Sequence, residues 1–367
     1  MIQLATLIHH CTPEFNAQFG SRLQPLHRRA LDAMLACKSQ CGQCLMACDH
    51  CQQQKWIGLS CGHRACPQCQ VNVGELWFAR QQQKLLPAAY FMVTFTLPAE
   101  LRKLMWRYQS FLYDVLFKAS VDTLKTIAKN NHGLKIGMTG VLHTHTRALD
   151  YHPHVHFIVP GGGMVTDQQG TRWQAFKGQY FVNEMALGKV FKGIFLRLLA
   201  DTGLEIPAFL PKQWVANIKC VGRGEKALRY LSRYLYRGVI SQNKLHRVEG
   251  HQVRYDYQDS KTKKTCSKIQ SEADFLWRLM QHILPRGFRR VRDFGFLHPN
   301  AKKQLQQVQA LLKVKIRCHT PTKKPPLCAC CKQPVKVVLV VAKKIPLLYR
   351  AATAHSQKTA APELSPS

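Results

Sequence analysis

Residues 151–163 read YHPHVHFIVPGGG, with His152, His154 and His156 at alternate positions ahead of an apolar run. Alternate residues of a strand share a face, so the imidazoles project together wherever the backbone is regular. Pro153 suits only a strand end, which makes His154 and His156 the firm pair, leaves His152 at the margin and directs Val155 into the core. Imidazoles so placed lie about 7 Å apart along the strand, within reach of one ion. The upstream stretch VLHTHTR adds His143 and His145, again on one face, as sources of a third ligand. A lone histidine is ordinarily a satisfied polar residue. Five in the 14 residues from 143 to 156 are poorly explained that way, and the cluster reads as a metal site. Neutral imidazoles with open positions suit Mn²⁺, Zn²⁺ or, less well, Mg²⁺. Such an ion polarises a phosphate oxygen and orients a scissile phosphodiester.

The stretch ALRYLSRYLYR offers something to attack that phosphate. At helical spacing Tyr230 and Tyr234 stand on one face, between an apolar stripe of Leu228, Leu231 and Leu235 and a basic stripe of Arg229, Arg233 and Arg237. Boundary tyrosines with buried rings and wet hydroxyls are common. Beside a histidine hairpin they favour a nucleophilic reading, because nearby arginines promote the phenolate and neutralise phosphate. The basic stripe predicts strongly salt-dependent binding, and Trp214 and Arg223 are candidates to stack on or grip a single strand.

Thiols form the third group. Cys48 and Cys51, then Cys66 and Cys69, give C-x2-C twice with a gap of 14 residues, a spacing that closes one tetrahedral zinc site. Cys37, Cys41, Cys44, Cys61 and His63 lie close enough for a second, with Cys37 and Cys61 as candidates. The expected role is structural, folding a module with little core of its own. Near the C-terminus LCACC offers Cys328 and Cys331, with Cys318 and His319 upstream, where a further site and unpaired surface thiols fit equally.

These groups must be held by a chain of 367 residues carrying 53 Lys+Arg against 20 Asp+Glu, a formal charge of +33. So one-sided a balance points to a nucleic-acid partner. Nine of the 15 cysteines precede residue 70 and no secretory leader is read, so a reducing cytoplasmic setting is expected, without a membrane span. Three regions separate: a Cys-rich 1–97, a mixed 98–300, and a basic, partly disordered 301–367 ending in AATAHSQKTAAPELSPS. In the middle region AYFMVTFTLP reads as a strand, ELRKLMWRYQSFLYDVLFKASVDTLKTIA as one helix, and KIGMTGVLHTHTR with HVHFIVPGGG as a hairpin. EMALGKVFKGIFLRLLADTG reads as a helix, PKQWVANIKCV as a strand, GEKALRYLSRYLYRGVI as a helix, and SEADFLWRLMQHIL as a helix capped by Ser271. The fold class is α+β, an antiparallel sheet with helices on one face.

Histidine–hydrophobic–histidine with a later tyrosine pair resembles the HUH endonucleases. SCGHRACPQCQ, LLPAAYFMVTFTLP, YHPHVHFIVPGGG, YLSRYLYRGVIS and QHILPRGFRRVRDFGFL in that order resemble the two-tyrosine rolling-circle transposases of the IS91 type, over about residues 20 to 300. Members of that group often carry His before the second C-P-x-C, where this chain has Ala65, with His63 two residues earlier. The resemblance implies a zinc-binding N-terminal domain and an HUH catalytic core, a central antiparallel sheet with flanking helices. It implies His154 and His156 as metal ligands and Tyr230 and Tyr234 as nucleophiles. It further implies cleavage of single-stranded DNA at element ends through 5′-phosphotyrosyl intermediates, joining at a target, catalytic Mn²⁺ or Mg²⁺ beside structural Zn²⁺, and a host replication helicase as a further partner. A plasmid replication initiator or relaxase-type nickase would share the chemistry, whereas a non-catalytic zinc-dependent DNA-binding protein would keep the histidines as structure.

Overall fold

The chain opens with helices α1 (Leu4–Phe19) and α2 (Pro25–Ala36), a hairpin of β1 (Gly42–Ala47) and β2 (Gln54–Gly58), and helix α3 (Val71–Gln82). Pro25 occupies the first turn of α2, where its missing N–H has no helical partner to lose. The computed structural model describes residues 2–66, 69, 71–176, 181–236, 239–259, 262–314 and 325–345, apart from the side chains of 71–73 and 233–236.

Strand β3 (Tyr90–Thr96) is followed by α4 (Arg102–Arg107) and α5 (Gln109–His132). The single helix expected over this stretch is therefore two. The backbone leaves the helical region at Tyr108 (φ −120°, ψ 43°), and Trp106 of α4 stacks on His27 of α2 while α5 lies along the sheet. The expected histidine hairpin is β4 (Met138–His145) and β5 (Tyr151–Pro160), and β6 (Gly162–Asp167) pairs with β7 (Gly170–Ala175). Next come α6 (Glu184–Ala200), capped by the Asn183 side chain, β8 (Ala216–Cys220) and α7 (Glu225–Tyr236). A three-stranded sheet of β9 (Leu245–Val248), β10 (Gln252–Gln258) and β11 (Thr265–Ser271) leads into α8 (Glu272–Met280), whose N-terminus is capped by the Ser271 hydroxyl as expected. Strand β12 (Val291–Phe294), helix α9 (Lys302–Leu311) and strand β13 (Lys336–Ala342) complete the described elements.

The central sheet has the order β12-β4-β5-β3-β8, antiparallel throughout, with the histidine strand in the middle. One face carries Phe91, Val93, Phe95, Leu142, Val155, Phe157 and Val159 against α5 and α6. Gly140 is required here, since a Cβ would stand 2.6 Å from the Phe157 ring. The other face is not bare, as a one-sided arrangement would leave it. Tyr90, Val141 and Ile158 pack there against Trp77 and Phe78 of α3 and Ala227, Leu228 and Leu231 of α7.

The N-terminal helices do not hold a core to themselves. Leu7, Phe15, Leu31 and Met34 share one with Tyr255 of β10 and Phe275 and Leu276 of α8. Strand β13 returns to the N-terminal region and pairs with β1, giving a sheet of order β13-β1-β2. No helix among the described residues is long and apolar enough to cross a membrane. Residues 351–367, Cys318 with His319, and Arg237 lie outside the described residues.

Candidate metal centre and nucleophile helix

Register decides which histidines meet. Across β4 and β5, His143 is opposite His154 and Val141 opposite His156, while across β5 and β3, His156 is opposite Thr94. Directly opposed residues share a face, so His143, His154 and His156 converge. Their ring centroids are 4.5–5.2 Å apart, and one nitrogen from each lies within 4.8 Å of the others. Burial lowers the pKa of all three, His156 to about 4 and His143 and His154 well below the ordinary range. They are therefore neutral near pH 7, the state that ligates. His154 donates through Nδ1 to the carbonyl of His152, two residues back, at 2.7 Å, and His156 Nδ1 lies 2.8 Å from the Thr94 hydroxyl. Both bonds leave Nε2 as the ligating atom. Three neutral nitrogens with no acid among them fit Mn²⁺ or Zn²⁺ more naturally than Mg²⁺.

His152 and His145 stand outside this trio. His152 Nδ1 accepts from the Arg102 guanidinium at 2.9 Å. A bulge between His143 and His145 places His145 opposite Tyr151, and its ring meets His282 at 5.2 Å. The sequence shows alternation but not the extra residue that breaks it.

Helix α7 lies over the same sheet face as the trio, through Leu228 and Leu231 on Val141 and Ile158. Val141 is the residue opposite His156. Tyr230 emerges at the helix border, 36% exposed, and lines a cleft of 640 Å³ together with Met92, Lys219, Arg223 and Lys226. Met92 precedes Thr94, the residue opposite His156, by one strand repeat, about 7 Å, and none of the three histidines lines the cleft itself. Arg229 sits over the Phe78 ring at 4.3 Å and near Glu225 at 3.9 Å. The side chains of Arg233 and Tyr234 lie outside the described residues, although both belong to α7. Trp214, one of the candidates to stack on or grip a single strand, is buried against Phe191 and Phe195 and is instead core. Sequence reasoning does not single out Thr94 and Lys219, whose place depends on strand register, or Lys226, whose place depends on how α7 packs on the sheet.

The thiols sort differently from their spacing. Cys66 and Cys69 cluster with Cys37 and Cys61, with sulfurs of Cys37 and Cys61 3.2 and 3.4 Å from Cys69. Hydrogen bonds from Cys61 and Cys66 hold the Cys37 thiol far below its usual range. Cys48 and Cys51 are elsewhere, against Cys328 and Cys331. A single site from the two C-x2-C pairs is thus corrected: the first pair sits in the turn at the tip of the β1–β2 hairpin, and β2 runs from there back toward the second pair, which keeps the two apart. Arg64, in the loop leading to Cys66, donates to the carbonyls of Phe288 and Leu284, each at 2.7 Å, tying that loop to the segment before β12. Arg64 lies within SCGHRACPQCQ, but nothing in its spacing marks the bond.

Two family models match the chain, a "Transposase zinc-binding domain" over residues 7–97 and a "Putative transposase" over residues 137–305. The "Putative transposase y4qJ" of Sinorhizobium fredii is 32% identical, over 88% of this chain and 87% of its own length. The transposase for insertion sequence element IS801 of Pseudomonas savastanoi pv. phaseolicola is 31% identical, over 82% and 77%. Among solved structures, the conjugative relaxase TrwC with mutant oriT DNA is similar over 61% of this chain and 74% of its own, at 13% identity and a TM-score of 0.26. With a zinc-binding region ahead of a core whose central strand carries the histidine pair, and relatives matched over most of their length, the chain belongs to the IS91-type transposases.

Proposed function

We propose that this transposase nicks and joins single-stranded DNA at element ends, with Tyr230 and Tyr234 as nucleophiles and His143, His154 and His156 as holders of a divalent ion, Mn²⁺ or, less well, Mg²⁺. The observation that carries the reading is the common sheet face: α7 packs on Val141 and Ile158, and the histidine trio occupies the neighbouring positions of the same strands. The three nitrogens suit such an ion, which when bound polarises a non-bridging phosphate oxygen. Lys219, Arg223 and Lys226 supply positive charge along the cleft in which Tyr230 stands, for the flanking phosphates. The hydroxyl of Tyr230, a residue 36% exposed, gives its proton to solvent water and its oxygen bonds to phosphorus. The bond from phosphorus to the 3′ oxygen breaks, that oxygen takes up a proton as a free 3′-hydroxyl, and the 5′ end stays on the tyrosine. The new linkage keeps the phosphodiester energy, so a 3′-hydroxyl can reverse the step without ATP. Tyr234, one turn further along α7, provides a second exchange without release of the first strand.

The test is a nicking assay on single-stranded element-end oligonucleotides with Mn²⁺. Wild type is expected to cut and to form a covalent adduct. Tyr230→Phe/Tyr234→Phe, which removes the hydroxyls and keeps the rings, should lower cutting at least about a thousand-fold, and His154→Ala/His156→Ala should abolish the metal response. Undiminished adduct in the tyrosine double variant would refute the nucleophile assignment.

A further inference from the structure

The second thiol cluster joins opposite ends of the chain. Cys48 Sγ lies 3.4 Å from Cys331 Sγ, and Cys51 Sγ lies 3.6 Å from Cys328 Sγ. Sulfurs at about 2.3 Å from one tetrahedral ion stand about 3.8 Å apart, close to what the four show. The two halves also have one backbone design. The Cys48 N–H donates to Gln53 O and the Gln52 N–H returns to Cys48 O, while the Cys328 N–H donates to Gln333 O and the Lys332 N–H returns to Cys328 O. Gln52 and Lys332, each four residues after the first cysteine of its pair, take positive φ of 57° and 61°. A repeated tight turn that aims both sulfurs of a C-x2-C pair at one point is a metal knuckle.

Burial supplies an independent reason. Within residues 325–345 Cys328 is the sole buried residue, and β13 is exposed along its whole length, Val337 to Val341 included. Strand hydrogen bonds to β1 without apolar burial do not hold such a segment against its chain entropy. Something at the cysteines must do so. The zinc-binding family model stops at residue 97, so it includes Cys48 and Cys51 without their partners.

We infer that Cys48, Cys51, Cys328 and Cys331 form a second tetrathiolate zinc site, separate from Cys37, Cys61, Cys66 and Cys69, which clasps the C-terminal segment onto β1. Upstream of that segment in the chain, helix α9 is held to the core through Val308, packed beside Phe296 and Leu297. The clasp therefore closes a loop from the core out to the zinc region.

Cobalt titration of the reduced full-length protein tests this, because thiolate-to-cobalt charge-transfer absorbance counts thiolate-bound ions and is silent to the histidine site. Wild type is expected to take up two such ions. Cys328→Ser/Cys331→Ser is expected to take up one, halving the band, with the surviving site reporting a folded N-terminal region. The same variant should become open to trypsin at Lys332 and Lys336, where the loaded wild type is protected. Should the double variant fold poorly, Cys331→His keeps a ligand and is expected to retain two ions with half the absorbance shifted. One ion in wild type, two in the double variant, an unshifted band in Cys331→His, or Cys48–Cys331 and Cys51–Cys328 disulfides in place of metal would each overturn the clasp.

Discussion

At the scale of single residues, the orientation of the histidine trio depends on groups outside it. His156 presents Nε2 because its Nδ1 is engaged by Thr94, and His154 presents Nε2 because its Nδ1 is engaged by a backbone carbonyl. Thr94→Val keeps the shape of the side chain and removes the hydroxyl. It is expected to weaken Mn²⁺ affinity about 10- to 100-fold, read by calorimetric titration, with little change in thermal stability. Affinity equal to wild type would show that His156 is oriented by something else or does not ligate. Arg102 acts in the opposite sense: by donating to His152 Nδ1 it occupies the imidazole that alternation alone would have counted as a ligand.

At the scale of elements, the zinc region helps to place helix α7, which carries Tyr230 and Tyr234. Helix α3 begins two residues after Cys69, and its Trp77 and Phe78 form the surface on which Leu228 and Leu231 of α7 rest. The Arg64 bonds fasten the same loop to the segment before β12. Arg64→Ala is expected to cost about 2 kcal/mol in urea unfolding and to slow nicking while zinc content stays at the wild-type level. Unchanged stability would mean the bonds are dispensable. Much of this element layer was legible beforehand. The hairpin, α6, α7 and the Ser271 cap follow from period and capping chemistry, and the neighbouring alternation of His154, Val155 and His156 named two of the three imidazoles that meet. The rest was hidden for physical reasons. His145 is turned aside by a bulge, which adds a residue without a compositional mark. Strands β9 to β11 carry a weak period, and in β11 it runs against burial, since Ile269 is exposed while Lys268 and Gln270 on either side are half-buried. The pairing of cysteines 277 residues apart, Cys51 with Cys328, is a matter of topology that no local spacing encodes.

At the scale of the whole molecule, the N-terminal helices, the zinc region and the central sheet are locked together by buried contacts, and one of them is acid-sensitive. His27 of α2 stacks on Trp106 of α4, accepts at Nδ1 from the Gln24 N–H, and is pushed by burial from 6.5 down to about 4. In the unfolded chain this imidazole takes up its proton near pH 6.5, whereas in the folded protein it stays neutral to about 4. Between those values the unfolded state binds more protons. Stability is thus complete above pH 6.5 and falls as pH drops toward 4, by about 1.4 kcal/mol per pH unit for this group. His27→Phe keeps a ring against Trp106 and is expected to flatten the fall in urea stability over that interval by this amount. A slope equal to wild type would place the acid sensitivity elsewhere. The charge of +33 then has a use at this scale, since three lysines and arginines of the cleft are only a small part of it and the remainder draws a polyanion to the surface as a whole. All of this serves one juxtaposition, of the histidine trio and helix α7 on a single face of the sheet. It is tested most directly by trapping the covalent protein–DNA adduct formed with Mn²⁺ on a single-stranded element end, digesting it, and locating the nucleotide-bearing residue by mass spectrometry. The account predicts a phosphotyrosine at Tyr230 or Tyr234, absent when His154 and His156 are replaced by alanine; a nucleotide on any tyrosine outside α7 would contradict it.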